Sequence, residues 1–452
     1  MTAEGDLSRP LGRCEQGTWL MDRGASMNYV VVSRVRGALD EPTLRGALDA
    51  LQARHPPLRA RVEERGGAHA FCSGDVGPIP LRMVEGTATS WVSAAEDELC
   101  EPFPDSGPLL RATFLLEPAE VSPAERVGTV VLTSHHVVGD GMSAVYVMRD
   151  LLDAAGRLLE GRAPEAHVVT DTLPLEARLP AHARGVRGLA HLASFLGRSI
   201  AEVVRNPSPV RVRRAREVFA HSRRPRIEAV LIDAECAAKL AERCRAEGTT
   251  VHGALAAAML LGILADLPEH KAQRGGTTVS FGNPVNLRPR MEPPVGESLG
   301  FHVSMIPFND RVRADEGLWE LARRIRKTVA HGVERHDDFA VARMSPRMVR
   351  SFGGHELPAR GFIERWETKV RSTSALTNLG RVDLPERFGP LAVESFQVAN
   401  APSALGDFMA LATSFRGSIF WNFVWPEPAM EVDHARALVA DIRARLERGL
   451  DD

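Results

Sequence analysis

The sequence predicts a layered α/β protein of two lobes, each a mixed sheet carrying helices. Three observations lead there. A chain of 452 residues is longer than one hydrophobic core usually serves. Strand-like and helix-like patterns recur in two blocks, each running from a strand into a helix and on to further strands, a faint repeat at the scale of a lobe. Between the blocks lies a stretch of weak periodicity, dense in Pro and Arg. The expected divisions are 1–160 for the first lobe, 161–225 for the connection and 226–452 for the second lobe.

In the first block, "DEPTLRGALDALQARH" predicts a helix. Asp40 can cap it, Pro42 suits its first turn, and Leu44, Leu48 and Leu51 form one apolar stripe. Pro56 and Pro57 end it. "VGTVVLTS", from Val127 to Ser134, is an apolar strand, and "MSAVYVMRDLLDAAGRLL" returns to helical spacing with Val145, Met148, Leu152 and Ala155 on one face. In the connection, one helix is expected near 185–204.

The second block opens with the strand "RIEAVLID" and the helix "AECAAKLAERCRAEG", and Thr250 can cap the apolar helix that follows. "TTVSFG" is a strand leading into the loop "NPVNLRPRMEPPVGESLG". "MALATSF" and "SIFWNFVW" read as a hairpin turning at Arg416-Gly417, although Arg is not a favoured residue there. The last helix should turn Val432, Leu438, Val439, Ile442 and Leu446 inward.

Composition narrows the function. Hydrophobic residues at 44% and charged residues at 25% suit a soluble globular protein, and a net charge of −2 argues against a general nucleic-acid binder. The basic residues are nearly all Arg, which, with abundant Ala, Gly and Pro, suggests a GC-rich bacterial gene. Five scattered cysteines without a C-x-x-C pair support neither a disulfide framework nor a cysteine zinc site. "MTAEGDLSRPLG" lacks the pattern of a signal peptide, and the longest apolar run, "GALAAAMLLGILA", is too short to span a bilayer. A cytoplasmic protein with no membrane span is expected.

The stretch that bears on chemistry is "TSHHVVGDGMS", residues 133–143. Neighbouring side chains on a strand point to opposite faces, so His135 and His136 cannot easily share one metal ion, and no metal site is expected. A plain structural reading remains: a core histidine, and Asp140 as the N-cap of the next helix. A catalytic reading also fits. A strand-to-helix loop is a rigid place for chemistry, and an imidazole can take a proton near neutral pH. Asp140 would then hold the loop against a distant cation, and Gly141 would let the backbone turn tightly. No G-x-S-x-G nucleophile elbow occurs.

"HHVVGDG" matches the HHxxxDG signature, and here the chain resembles the acyltransferases built on the chloramphenicol-acetyltransferase fold. These include peptide-synthetase condensation domains, wax-ester synthases and polyketide-associated acyltransferases. "GALDEPTLRGALDALQARHPPLRARV", "TVHGALAAA", "NPVNLRP" and "SALTNLGRV" resemble further segments in the same order, so the likeness runs from about residue 10 to 445. It implies two lobes in a V around a central tunnel. It also implies His136 as general base, His135 as its structural companion, and an Asp140–Arg288 pair that braces the loop. The Gly141 amide, Thr377 or Asn378 are candidates for stabilising an oxyanion, although Thr and Asn before "LG" are also ordinary turn residues. His252 and His302 lack such context and read as packing or surface residues.

By resemblance, the donor is an acyl thioester of coenzyme A or of a carrier protein's phosphopantetheine, with no cofactor held permanently. The acceptor is a hydroxylated natural product or lipid, or an amine. Free-standing polyketide-associated acyltransferases are the best match; a stand-alone condensation enzyme forming amides, and an inactive module that recruits carrier proteins, are the alternatives. A monomer is expected, since two lobes can form the whole site. The arginines of the connection read either as a landing place for the donor's phosphates or as a solvated charge run.

Overall fold

The computed structural model describes residues 6–66, 68–118, 122–219, 222–268, 275–353, 357–402 and 406–451. The beginning of the N-terminal stretch, through Gly5, and Lys271 lie outside them. Two large mixed sheets organise the chain, as the fold class predicted. The first has seven strands, and its central strand is Val127–His135, flanked by Asn28–Arg36 and Leu110–Leu116. Being central, that strand is buried along nearly its whole length, which is why it reads as an apolar run rather than an alternation. Gly128 is needed there because any side chain would overlap the Phe114 ring.

Helices Glu41–Arg54 and Gly141–Leu159 pack together on this sheet. Asp40 caps the first, accepting from the Thr43 amide at 3.0 Å, and Leu44, Leu48 and Leu51 are buried. Val145, Met148, Leu152 and Ala155 of the second are all buried, as its spacing predicts.

The second sheet has six strands in the order 303–312, 277–286, 374–381, 409–415, 418–427, 224–232. Its core helix is Val251–Asp266, buried on nearly every side and capped by Thr250 through the Gly253 amide at 3.1 Å. The hairpin closes with Phe415 opposite Ser418, and Arg416 and Gly417 both take positive φ, +50° and +81°. Two left-handed residues are what a two-residue hairpin turn of the favoured hand requires, so Arg416 carries a small backbone strain.

The lobes are not serial. Strands Arg387–Phe388, Leu391–Val393 and Gln397–Asn400 come from the second half of the chain, yet belong to the first sheet: Leu391–Val393 and Gln397–Asn400 pair with Asn28–Arg36. The simple division at 226 therefore misassigns this segment. Several elements went unassigned in the sequence, among them helix Arg13–Asp22, whose weak amphipathicity gives little signal, strand Asn28–Arg36 with its "YVVVSRV" core, strand Val303–Val312, and helices Trp91–Cys100, Leu318–Glu334 and Asp337–Ser351. The connection contains the expected helix, Gly185–Arg205. Among the described residues no single helix is long and apolar enough to cross a membrane.

Candidate active site

Strand Val127–His135 delivers the two histidines to the edge where the lobes meet. His135 pairs with Asn28, and the His136 amide donates to the Met27 carbonyl at 3.0 Å, which fixes the backbone to the end of the motif strand. The two rings have separate neighbours. His135 is 1% exposed: its Nδ1 accepts from the Val137 amide at 2.9 Å, its Nε2 lies 3.4 Å from Asp22, and Trp19 and Phe103 pack on it. His136 instead sits between Tyr29, with ring centroids 4.7 Å apart, and Phe301, edge-on at 6.1 Å. Tyr29 comes from the first lobe and Phe301 from the second.

The tautomer of His136 follows from one contact. Its Nδ1 is 3.0 Å from the Gly139 carbonyl oxygen, which can only accept, so Nδ1 carries the proton and Nε2 presents a lone pair. Burial pushes the pKa of the ring down to about 4, so it is neutral at pH 7. A neutral imidazole held in one tautomer, partly open to solvent, can accept a proton at Nε2.

At the other end of the loop, Asp140 is both things the sequence allowed. It caps helix Gly141–Leu159, accepting from the Ser143 amide at 2.9 Å and the Ser143 hydroxyl at 3.0 Å. It also pairs with Arg288 at 2.9 Å across 148 residues of sequence, and its second oxygen accepts from the His302 amide at 2.9 Å. Burial alone would raise its pKa, but the charges of Arg288 and His302 and the Ser143 amide outweigh that and hold it at about 2. Arg288 is 2% exposed and also donates to the Ser298 carbonyl at 2.6 Å, the Ser143 hydroxyl at 2.9 Å and the Gly300 carbonyl at 3.2 Å. One guanidinium thus ties the 287–300 segment, which follows strand 277–286 (longer than the sequence suggested), to the start of the motif helix. A second tie runs from Arg149, on that helix, to Glu297 at 2.6 Å.

Gly141 is required for space rather than for its backbone angle. Its φ is not positive, and an added Cβ would overlap a methyl of Leu379 from the second sheet. Gly139 is more tightly held still, against the Tyr29 hydroxyl. The Gly141 and Met142 amides, first in the helix, make no hydrogen bond among the described residues. Thr377 and Asn378 lie partly exposed on strand Ser374–Arg381, next to Leu379. Asn378 spends its side-chain oxygen on the Gly380 amide at 2.8 Å, a local turn, and no hydrogen bond joins either residue to the motif loop among the described residues.

The sequence reading underrated His302. It is buried beside Arg288, its pKa is pushed down to about 4, chiefly by burial, and its backbone completes the Asp140 cap. His252 bonds Asn283 at 2.8 Å. Tyr29, Ser143 and Phe301 were missed; only Ser143, three residues after a capping Asp, carried a local signal. Among the described residues no three His, Cys, Asp or Glu side chains gather as metal ligands. Clefts of about 320, 260 and 340 Å³ lie beside Arg13 and Arg350, beside Arg211 and Glu367, and beside Arg149 and Glu297. None of these three has His136 in its lining.

Two family models match successive parts of the chain: the condensation domain over residues 16–173, and the phthiocerol/phthiodiolone dimycocerosyl transferase C-terminus over residues 221–419. One of the linear gramicidin synthase proteins of Brevibacillus parabrevis is 28% identical over 341 residues, 71% of this chain. A probable non-canonical nonribosomal peptide synthetase of Salinispora arenicola is 25% identical over 370 residues, 78% of this chain. The chain spans only 6% and 4% of those two relatives' lengths. Among solved structures, the trichothecene 15-O-acetyltransferase of Fusarium sporotrichioides superposes with a TM-score of 0.73 at 12% identity, covering 100% of this chain and 97% of that one. Polyketide synthase associated protein 5 of Mycobacterium tuberculosis superposes with a TM-score of 0.65 at 16% identity, covering 99% of each. The first condensation domain of the calcium-dependent antibiotic synthetase gives 0.72 at 16% identity, covering 99% of this chain and 97% of that one.

Proposed function

We propose that this chain, whose successive parts match the condensation-domain model and the C-terminal model of an acyltransferase, moves an acyl group from a thioester to a hydroxyl, with His136 as general base. The observation that carries this reading is the His136 tautomer: Nδ1 is occupied by the Gly139 carbonyl, and Nε2 is left as a neutral base between residues of both lobes.

The steps follow from that placement. The acceptor hydroxyl gives its proton to Nε2 as its oxygen bonds to the thioester carbonyl carbon, and the carbonyl electrons move onto oxygen. The oxyanion is met by amides at the start of the motif helix, Gly141 foremost, where the helix dipole also favours negative charge; Thr377 or Asn378 would add a donor from the facing strand. On collapse the C–S bond breaks and the thiolate takes the proton back from Nε2, leaving an ester and a free thiol. No acyl-enzyme is needed. Asp140 and Arg288 hold the loop and do not relay protons.

The donor in this reading is acyl-coenzyme A or an acylated carrier protein, reaching His136 through a passage between the lobes. The match of residues 221–419 to an acyltransferase model favours a hydroxyl acceptor. The peptide synthetases among the relatives favour the second reading, in which the acceptor is an amine and the product an amide. Thiol release from acyl-thioesters, measured with an alcohol or an amine acceptor, separates the two. His136→Ala should lower it roughly 10²–10⁴-fold. A wild-type protein that released no thiol with either acceptor, yet bound a carrier protein, would instead be a recruitment module.

A further inference from the structure

Helix Gly185–Arg205 leaves most of its apolar residues exposed. Only Gly188, Leu192 and Phe195 are buried, the last two against Ala340, Val341 and Met344 of the neighbouring helix Asp337–Ser351. The strongest apolar face points elsewhere. Val186, Leu189, Leu196, Ile200, Val203 and Val204 recur at helical spacing and are 83%, 58%, 38%, 64%, 63% and 76% exposed. At 1.5 Å per residue they make a ridge roughly 27 Å long, with Ala193 and Gly197 the other residues on it. Scattered apolar side chains on a surface need no explanation; a continuous ridge does.

Charge indicates what would cover it. Residues 184–224 hold ten arginines against two glutamates, in a chain whose net charge is −2. Some of these arginines turn inward: Arg214 to Asp407, Arg223 to Glu367, Arg198 to Asp337. Arg187, Arg213 and Arg216 are exposed and make no hydrogen bond or ion pair among the described residues, and Arg205 is exposed at the helix end. Helix Asp337–Ser351, alongside, adds exposed Arg347 and Arg350.

We propose that helix Gly185–Arg205 docks the protein on an anionic lipid surface, the aliphatic ridge entering the acyl boundary and the arginines meeting headgroup phosphates. The ridge is convex, aliphatic and free of polar side chains, as a helix lying in a bilayer interface requires. A protein partner would more usually be met by a groove with aromatic or Arg anchors, and the ridge has neither. The arrangement would hold the site close to a membrane without any segment crossing it.

The test is sedimentation with vesicles of phosphatidylcholine alone or mixed with phosphatidylglycerol, in low and high salt. The wild type should partition roughly tenfold or more better onto the anionic vesicles, and salt should reduce this. The double variant Ile200→Glu/Val204→Glu should lose the binding, and Arg213→Glu/Arg216→Glu should weaken it severalfold. Both should melt like the parent, and the ridge variant should release thiol from a soluble thioester at the parental rate, so this result is read separately from the proposed chemistry. Wild type that ignores anionic vesicles, or a ridge variant that binds them equally, overturns the proposal. So would a concentration-dependent dimer, or a complex with an acidic carrier protein, that the ridge variant abolishes while vesicle binding persists.

Discussion

Among the described residues the ring of His136 makes one hydrogen bond, to a carbonyl three residues on, whereas the carboxylate of Asp140 accepts four, from Ser143 twice, from Arg288 and from His302. The two residues share one short loop. At one end the molecule orients a group and leaves its reactive atom unpaired; at the other it satisfies a buried charge as fully as it can. Polar groups buried for stability are saturated with partners, since an unpaired one is costly. A group kept for chemistry must forgo that. The contrast predicts that substitutions at the two ends fail in different ways.

The largest effect should come from His136→Ala, which takes the 10²–10⁴-fold loss of thiol release yet melts close to the parent. A large fall in melting temperature would make the ring a structural member. Arg288→Ala should do the reverse. Leaving Asp140 charged, buried and unpaired costs about 3–5 kcal/mol, read by denaturant unfolding. A variant as stable as the parent but slow would move Arg288 into the chemistry.

Acid should also separate the two ends. The base works when neutral, so with a pKa of about 4 the rate should stay level through neutrality and fall only as pH drops toward that value. A midpoint near 6.5 in a pH–rate profile would mean an ordinary solvated histidine. For stability the sign is the same in each case. His136 and His302 bind a proton less well folded than unfolded, so their contribution is whole above about 6.5 and shrinks as pH falls toward 4. Asp140, held at about 2, contributes fully above about 4 and loses that contribution as pH falls to 2, on the order of 2 kcal/mol. Urea unfolding at stepped pH would show both declines, and Arg288→Ala should remove most of the lower one.

Smaller effects are expected where the lobes touch. Gly141→Ala pushes on Leu379 and should cost about 1–3 kcal/mol, with some loss of rate, since the same contact sets the helix start. Thr377→Val and Asn378→Ala should do least. If Thr377→Val lowered kcat tenfold or more with KM unchanged, the facing strand would hold an oxyanion donor after all.

Much of this was legible in the sequence, for reasons that differ by residue. The motif strand and helix show because a fully buried strand and an amphipathic helix have distinct periods, and Asp40, Asp140 and Thr250 show because capping chemistry is local. Arg288 could be joined to Asp140 only through the family resemblance, since no local pattern spans 148 residues. Phe301 and Tyr29 left no trace, because an aromatic ring beside a histidine is a matter of tertiary packing. Gly141 was noticed for its flexibility, whereas the structure needs its lack of a side chain. The crossing of residues 387–400 into the first sheet was likewise hidden, since short strands carry little pattern and sheet membership is a long-range choice.

That crossing has a practical result for anyone dividing the molecule. An expressed fragment ending near Pro225 would lack its borrowed border, leaving the valine-rich Asn28–Arg36 edge bare and inviting neighbours to bind it. The complementary fragment would carry three short orphan strands with nothing to lie against. Co-expressed pieces should therefore find one another, and a split between them is a natural place to attach reporters of reassembly.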